Sequence, residues 1–395
     1  MKYLIVGNSA AGVHAAENLR KLDKDSEITI LTDEPEDVYG RCLTSYFIAG
    51  DIKKEQIYLR PREFYEKNQI NLRKQEKVVK VDFSKKKVFT AQNVYPYERL
   101  LIASGARAKK LSLPGADLPG VFNLRTLKDA REILDYSQKA REAVIIGGGL
   151  VSLKGAYGLL KRGIKVTVVV ASKQILSQVL DETAAGLVQQ NLEKHGIKFL
   201  LGEDVEEILG DNMVKAVKLT SAQTLKADII LVGKGVIPNI DFLPDWENFA
   251  DGIPVDHYLK TPWDDVWAAG DVAKSFDVAY GKPRVNALWP IASEQGKIAA
   301  QNMAGQMAFY PGAIGMNSLE FFGYTAIAAG ITRSDEDYTI IKQKQGANYR
   351  KLVLKDDKLK GYILCGEVQG AGRLTQLIRT QTDFSQKVLK VKNFW

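Results

Sequence analysis

Tyr3-Leu4-Ile5-Val6-Gly7-Asn8-Ser9-Ala10-Ala11-Gly12, continued by Val13–Leu22, is a short apolar run, a glycine turn and a helix-like stretch. A second apolar run, Ile28–Leu31, leads to Asp33. The same order returns at Ala143–Ile146, the turn Gly147-Gly148-Gly149-Leu150-Val151-Ser152, helix-like Leu153–Lys161, and Val166–Val170. Strand, glycine turn, helix and strand in that order demand a parallel sheet with a right-handed crossover. Two such units, roughly 140 residues apart, predict two nucleotide-binding domains.

A bare three-glycine match means little, because 33 glycines in 395 positions supply roughly 0.2 matches by chance. Context makes the difference here. In the first copy Ser9 takes the middle glycine's place and is still small enough for a pyrophosphate to approach the backbone. Helix-start N–H groups then face the phosphates, aided by the helix dipole. Asp33, 21 residues past Gly12 (33 − 12 = 21), with Glu34 beside it, stands where a carboxylate accepts hydrogen bonds from an adenosine ribose. The plainer reading is an ordinary tight turn between strand and helix. The second copy places Gly147, Gly149 and Ser152 in the turn, with Leu150 and Val151 between them. Its second strand ends in Val170-Ala171-Ser172-Lys173, which holds no acid. Without that acid a 2′-phosphate is not repelled, and Lys173 is available to pair with one. NADH and NADPH both stay open.

Between the two copies, Val78–Phe83, Lys87–Thr90 and Leu100–Ala103 read as strands, the last running into Ser104-Gly105. Leu113-Pro114-Gly115 and Leu118-Pro119-Gly120 are turn signals suited to a domain crossing. Ile229–Val232 precedes the turn Gly233-Lys234-Gly235, and Trp267-Ala268-Ala269-Gly270-Asp271 is a strand entering a loop. Residues 316–395 alternate short strands (Leu352–Leu354, Gly361–Cys365) with turns and close on a helix-like Leu374–Thr380. The expected fold is α/β, with two Rossmann-like domains and a C-terminal α+β interface domain. The expected boundaries are 1–112 with 241–315 for the first domain, 113–240 for the second and 316–395 for the third.

Composition narrows the class. Hydrophobic residues are 45% and charged residues 26%, the balance of a globular enzyme. The longest apolar stretches, such as Ala143–Val151, fall far short of the ~20 residues a membrane span needs. Met1–Val6 is apolar but runs straight into the glycine turn, without the length or cleavage site of a signal peptide. Two cysteines argue against a disulfide framework and fit a reducing cytoplasm. The net charge of +8 reads either as a solvated basic surface or as attraction to an acidic partner. No dense basic block with interleaved aromatics points to nucleic acid. No metal site is expected.

Six motifs stand in a fixed order: Gly7–Gly12, Pro35-x-x-x-Tyr39-x-Arg41, Leu100–Gly105, Gly147–Ser152, Gly233-x-Gly235-x-x-Pro238-Asn239 and Ala268-Ala269-Gly270-Asp271-Val272. In this order they resemble the pyridine nucleotide–disulfide oxidoreductase superfamily over essentially the whole chain. Within it, the chain is most similar to the branch of NADH:rubredoxin reductases, ferredoxin–NAD(P) oxidoreductases and nitrite reductase flavin domains. The resemblance implies FAD and NAD(P)H as cofactors and electron exchange with a small acidic iron–sulfur carrier of ferredoxin or rubredoxin type. It also implies a homodimer through the C-terminal domain. The FAD contacts it implies are Gly7, Ser9, Ala10, Ala11, Gly12, Asp33, Glu34, Arg41, Cys42, Val78, Ala103, Ser104, Gly105, Gly270 and Asp271. Leu288-Trp289-Pro290 would start a helix aimed at the flavin pyrimidine, with proline at the first helical position. For the nicotinamide nucleotide it implies Gly147, Gly149, Leu150, Val151, Ser152, Val170, Ser172, Lys173, Gly233, Lys234 and Gly235.

Three departures bear on chemistry. Ala10 stands where peroxide- and oxygen-reducing relatives carry histidine, and the only histidines are His14, His195 and His257, none in the C-terminal region. Thiol chemistry therefore lacks its proton donor. Cys42 nevertheless stands about where oxidases and coenzyme A-disulfide reductases place a redox cysteine, so an NADH oxidase or disulfide reductase is the competing enzyme. The plainer reading is a small residue filling a proline's place, while Cys365 reads as a buried strand residue. Lys154 replaces the family's usual glutamate, and Tyr46 occupies the place of that glutamate's lysine partner. Lys154 is expected in the first turn of its helix, as an unpaired or differently paired cation beside the flavin; the plainer alternative is an exposed helix lysine. A flavin-bearing DNA-binding protein is the reading from another class.

Overall fold

The computed structural model describes residues 1–333 and 337–384, so the tail 385–395 of the expected third domain lies outside the described residues. The chain divides into two compact units, each assembled from separate segments. The first comprises Met1–Tyr39, Tyr58–Arg107 and Val236–Gly315. The second comprises Gly40–Ile57, Ala108–Gly235 and Met316–Trp395.

In the first unit, β1 (Lys2–Val6), α1 (Ala10–Leu22) and β2 (Glu27–Leu31) form the expected glycine unit. β1 and β2 are buried along four of their five residues, as strands covered on both faces of a parallel sheet must be. The sheet has five parallel strands in the order Val266–Ala268, Arg99–Ile102, β1, β2, Ile70–Arg73. The order reverses beside β1, which makes the carboxyl end of that strand the switch point where such sheets take ligands. The helix Trp289–Met303 lies against α1, and a Cβ on Gly296 would overlap the Ala11 carbonyl. An antiparallel sheet of Val78–Asp82, Lys87–Thr90 and Val94–Pro96 completes the unit's strands named here.

The second unit repeats the plan with β3 (Glu142–Ile146), α2 (Leu150–Lys161) and β4 (Lys165–Val170). Its parallel sheet has the order Lys198–Leu201, β4, β3, Ile229–Val232, Val121–Asn123. The short helix Thr44–Ala49 packs on α2 at Gly158, where a Cβ would stand 3.1 Å from the Ser45 carbonyl. Met316–Phe321, Tyr324–Gly330, Thr339–Gln345, Asn348–Lys355 and Lys358–Cys365 build an antiparallel five-stranded sheet, followed by the helix Ala371–Thr380. Cys365 is fully buried, as expected, and burial pushes its thiol up to about 12.

Both glycine-unit helices begin three residues earlier than the apolar pattern suggests. Their first residues follow the turn directly, with Ser9 and Gly149 as the capping positions, so the third small residue of each motif lies inside the helix. The strand expected at Val78–Phe83 stops at Asp82, whose side chain caps the turn by accepting from Ser84 Oγ and Lys85 N.

Candidate functional site

The first unit holds a cradle at the end of β1. Gly7 has φ +116, in the region that favours glycine, and a Cβ there would overlap the Ala103 carbonyl. A Cβ on Gly12 would likewise overlap the Gly7 carbonyl. The turn is thus pressed against the Ala103–Gly105 loop, and only glycine fits. Ser9 caps α1 without a side-chain hydrogen bond to the helix, leaving its first N–H groups facing the turn. The Ala103–Gly105 loop is fixed in turn: Ser104 Oγ donates to the Asn239 carbonyl at 2.6 Å, and Asn239 Nδ2 donates to the Ser104 carbonyl at 3.2 Å.

Asp33 is exposed two residues beyond β2, and the half-buried Glu34 accepts a hydrogen bond from Tyr39 Oη at 2.6 Å. Gly270 has φ +82 and donates its N–H to buried Gln295 Oε1 at 2.7 Å, while Gln295 Nε2 donates to Ser275 Oγ at 2.9 Å. This chain of bonds holds the loop that carries Asp271. Gln295 was not singled out in the sequence, although a glutamine among the small residues of Trp289–Met303 is a readable signal. Val78 is buried in the core beneath β1. Pro290 is the second helical residue rather than the first, because Trp289 opens the helix and Leu288 caps it. A glycine turn with no room for a side chain, free helix-start N–H groups and acids past β2 fit the adenosine-diphosphate portion of FAD.

The second unit's cradle has the same parts. Gly147 has φ +110, and a Cβ there would stand 2.5 Å from the Gly233 carbonyl. Ser152 fills the space opposite Gly233 and donates weakly to its carbonyl at 3.4 Å. In front of Gly149 a Cβ would meet nothing within 4 Å, which leaves open space where a phosphate approaches α2. Lys234, expected at the nucleotide, is bound through Nζ to both Asp204 oxygens at 2.7 and 2.9 Å. Val151 is exposed on the first turn of α2, and Ser172 and Lys173 follow β4. These features fit a nicotinamide nucleotide.

Arg41 and Cys42 also belong to the second unit, where Arg41 Nη1 donates to the Arg125 carbonyl at 3.2 Å. Cys42 is exposed, yet desolvation of its thiol holds the pKa above the ordinary cysteine value, against the lowering effects of a backbone hydrogen bond and the Lys154 charge. A raised pKa leaves less thiolate at neutral pH.

Lys154 is the fifth residue of α2, past the first turn, so the helix dipole disfavours it less than expected. It is also compensated within the second unit. Its Nζ donates to Tyr46 Oη at 2.7 Å and to the Glu320 carbonyl at 3.0 Å. The ring centres of Tyr46 and Phe321 lie 4.6 and 4.7 Å from the charge. Lys154 is therefore a differently paired cation, held by neighbours of its own unit. Glu320 escaped notice because its backbone carbonyl, not its side chain, is the acceptor.

Comparison with known proteins agrees with this geometry. Residues 1–296 match the family Pyridine nucleotide-disulphide oxidoreductase, and residues 316–382 match the Rubredoxin NAD+ reductase C-terminal domain. The chain is 34% identical over 394 residues to Nitrite reductase [NAD(P)H] of Bacillus subtilis, covering 97% of this chain and 48% of that protein. It is thus about half the length of that relative. It is 31% identical over 309 residues to Rubredoxin-NAD(+) reductase of Pseudomonas putida, covering 77% of this chain and 80% of the relative. The crystal structure of NADH:rubredoxin oxidoreductase from Clostridium acetobutylicum superposes with a TM-score of 0.80 at 27% identity, covering 98% and 97% of the two chains. With two nucleotide cradles built on the same glycine grammar and a family match over three-quarters of its length, the chain belongs to the pyridine nucleotide-disulphide oxidoreductase family.

Proposed function

We propose that this chain moves electrons between a nicotinamide nucleotide and a small acidic iron–sulfur carrier of rubredoxin or ferredoxin type, with FAD as the intermediary. When bound, FAD supplies the redox chemistry, exchanging a hydride with the nicotinamide and single electrons with the carrier. The chain's own residues bind and orient. Gly7, Ser9 and α1 hold the FAD pyrophosphate, Asp33 and Glu34 its ribose, and the Gln295-braced loop presents Asp271 to the ribityl chain. Gly147, Gly149 and α2 hold the nicotinamide nucleotide's pyrophosphate. We further propose three functional parts, with boundaries 1–112 plus 241–315, 113–240 and 316–395, and a homodimer through the last.

The observation that carries the reading is the C-terminal module, residues 316–382, which matches the domain named for rubredoxin reductases and contains no histidine. Without that histidine a thiol mechanism has no proton donor there, and burial of the Cys42 thiol raises its pKa and leaves less of the thiolate it would use. The +8 charge suits an acidic carrier. The test is anaerobic reduction by NADH and by NADPH, followed by rubredoxin, ferredoxin, oxygen and disulfides as acceptors. Carrier reduction should be fast and should slow as salt rises, since attraction is screened beyond ~8 Å at physiological ionic strength. Turnover with disulfides or oxygen but with no carrier would overturn the proposal.

A further inference from the structure

The two glycine units can be compared with each other, position by position, inside this one chain. Gly7 N donates to the Leu31 carbonyl at 2.8 Å, and Gly147 N donates to the Val169 carbonyl at 2.8 Å. One residue further, Glu76 N donates to the Thr32 carbonyl at 2.8 Å, and Glu203 N donates to the Val170 carbonyl at 3.2 Å. These bonds pair Leu31 with Val169 and Thr32 with Val170. Asp33 and Glu34 of the first unit therefore correspond to Ala171 and Ser172 of the second, and the next residue is Lys173. One copy carries two carboxylates where a ribose sits; the other carries a methyl, a hydroxyl and a cation.

The segment that holds them lies beside the nucleotide turn. A Cβ on Gly148 would stand 2.8 Å from Val170 Cγ1 and 3.3 Å from Ile175 Cα, and Leu176 N donates to the Gly148 carbonyl at 2.8 Å. Residues 171–174 are thus pinned at both ends against the turn. Ser172 is held further by its Oγ donating to the Gln174 carbonyl at 2.7 Å and its carbonyl accepting from Gly202 N at 3.1 Å. Lys173 between them is exposed, and among the described residues no carboxylate pairs with it. The acids that follow Lys198–Leu201 are engaged elsewhere. Glu203 Oε2 accepts from Thr220 Oγ1 at 3.1 Å and Ser221 N at 3.3 Å, and Asp204 is paired with Lys234.

We infer that this nucleotide site prefers NADP(H) over NAD(H), with Lys173 as the specificity-determining residue that pairs with the 2′-phosphate. The inference rests on the nucleotide part of the proposed function and is independent of the carrier. A 2′-phosphate meets no carboxylate in residues 171–173 and gains a charge-assisted contact with Lys173, whereas a 2′-hydroxyl finds no carboxylate there to accept its hydrogen bond.

Calorimetric titration of the oxidised, FAD-loaded protein with NADP+ and NAD+ tests this, with adenosine 2′,5′-bisphosphate and AMP as fragment probes. NADP+ should bind about tenfold tighter than NAD+ at low salt, one charge-assisted contact's worth, and the two fragments should rank the same way. Lys173→Ala should weaken NADP+ toward the NAD+ value and leave NAD+ unchanged, and Lys173→Arg should keep the preference. Ala171→Asp should reverse it. Tighter NAD+ binding in the parent, or a Lys173→Ala change that moves both nucleotides equally or neither, would overturn the inference. Failure of both nucleotides to bind would overturn the nucleotide reading with it. Reduction by NADPH with no transfer to any carrier would support this inference and sink only the carrier proposal.

Discussion

Removing the Tyr46 hydroxyl and the Lys154 charge, singly and together, should cost less in combination than the two costs added. Tyr46→Phe keeps the ring 4.6 Å from the ammonium and deletes only the 2.7 Å hydrogen bond. Hydrogen bonds to charged groups contribute about 1.5–3 kcal/mol, and partial exposure of Lys154 places this one nearer 1 kcal/mol. Lys154→Met keeps much of the apolar stem but loses both hydrogen bonds and the ring contacts with Tyr46 and Phe321, for about 2 kcal/mol. In the double variant the Tyr46 bond is already gone, so the loss should stay near 2 kcal/mol, a coupling of about 1 kcal/mol. A chain of several domains does not unfold in one step, so a single melting curve is the wrong instrument. Native-state hydrogen exchange at the amides of α2 and of Met316–Phe321 reads the local free energy instead. A coupling below about 0.3 kcal/mol would show that Lys154 is not held by Tyr46 and refute the reasoning.

Gly296→Val should loosen the helix Trp289–Met303 from α1, because its Cβ has no space beside the Ala11 carbonyl; overpacking of this kind costs about 1–3 kcal/mol. Flavin fluorescence released on heating should appear at a lower temperature, and an unchanged release temperature would argue against close contact there. Gln295→Leu should weaken FAD retention more than it lowers the melting temperature of the second unit, since it unpairs the Gly270 N–H next to Asp271; equilibrium dialysis of the flavin measures it. Cys42→Ser should leave NAD(P)H-to-dye electron transfer near the parent rate, because the thiol's raised pKa leaves it largely protonated at neutral pH. Loss of that activity with flavin still bound would restore the thiol mechanism.

The parts legible in the sequence were those written in local grammar. Gly7–Gly12 and Gly147–Ser152 announce themselves because no side chain fits at Gly7, Gly12 or Gly147, and the strands around them are apolar on both faces. Helix starts were misread by three residues because Ala10, Ala11 and Gly12 carry no apolar periodicity, although the backbone turns helical directly after Ser9. Lys154 was legible as a departure but not as a contact. Its partners come from residues 46, 320 and 321, far apart in the chain, and one of them is a carbonyl that every residue possesses. Gln295 lay in plain view, but nothing in its own helix says that it reaches Gly270.

The chain passes from one unit to the other five times, at 39/40, 57/58, 107/108, 235/236 and 315/316. This threading sets a timetable for synthesis. The small-residue face of α1 is translated within the first two dozen residues, but Gly296, which covers it, arrives far later. At 5–20 residues per second that partner lags by about 15–60 s, far longer than α1 needs to form. The second unit's parallel sheet, complete at Val232, is made entirely within that interval. On a ribosome the later-numbered nucleotide fold can therefore close first, while the earlier one waits as an unfinished sheet with an exposed alanine-rich helix. A flavin added before residue 303 has emerged has no completed cradle to enter, so cofactor loading is an event of the last stage of translation.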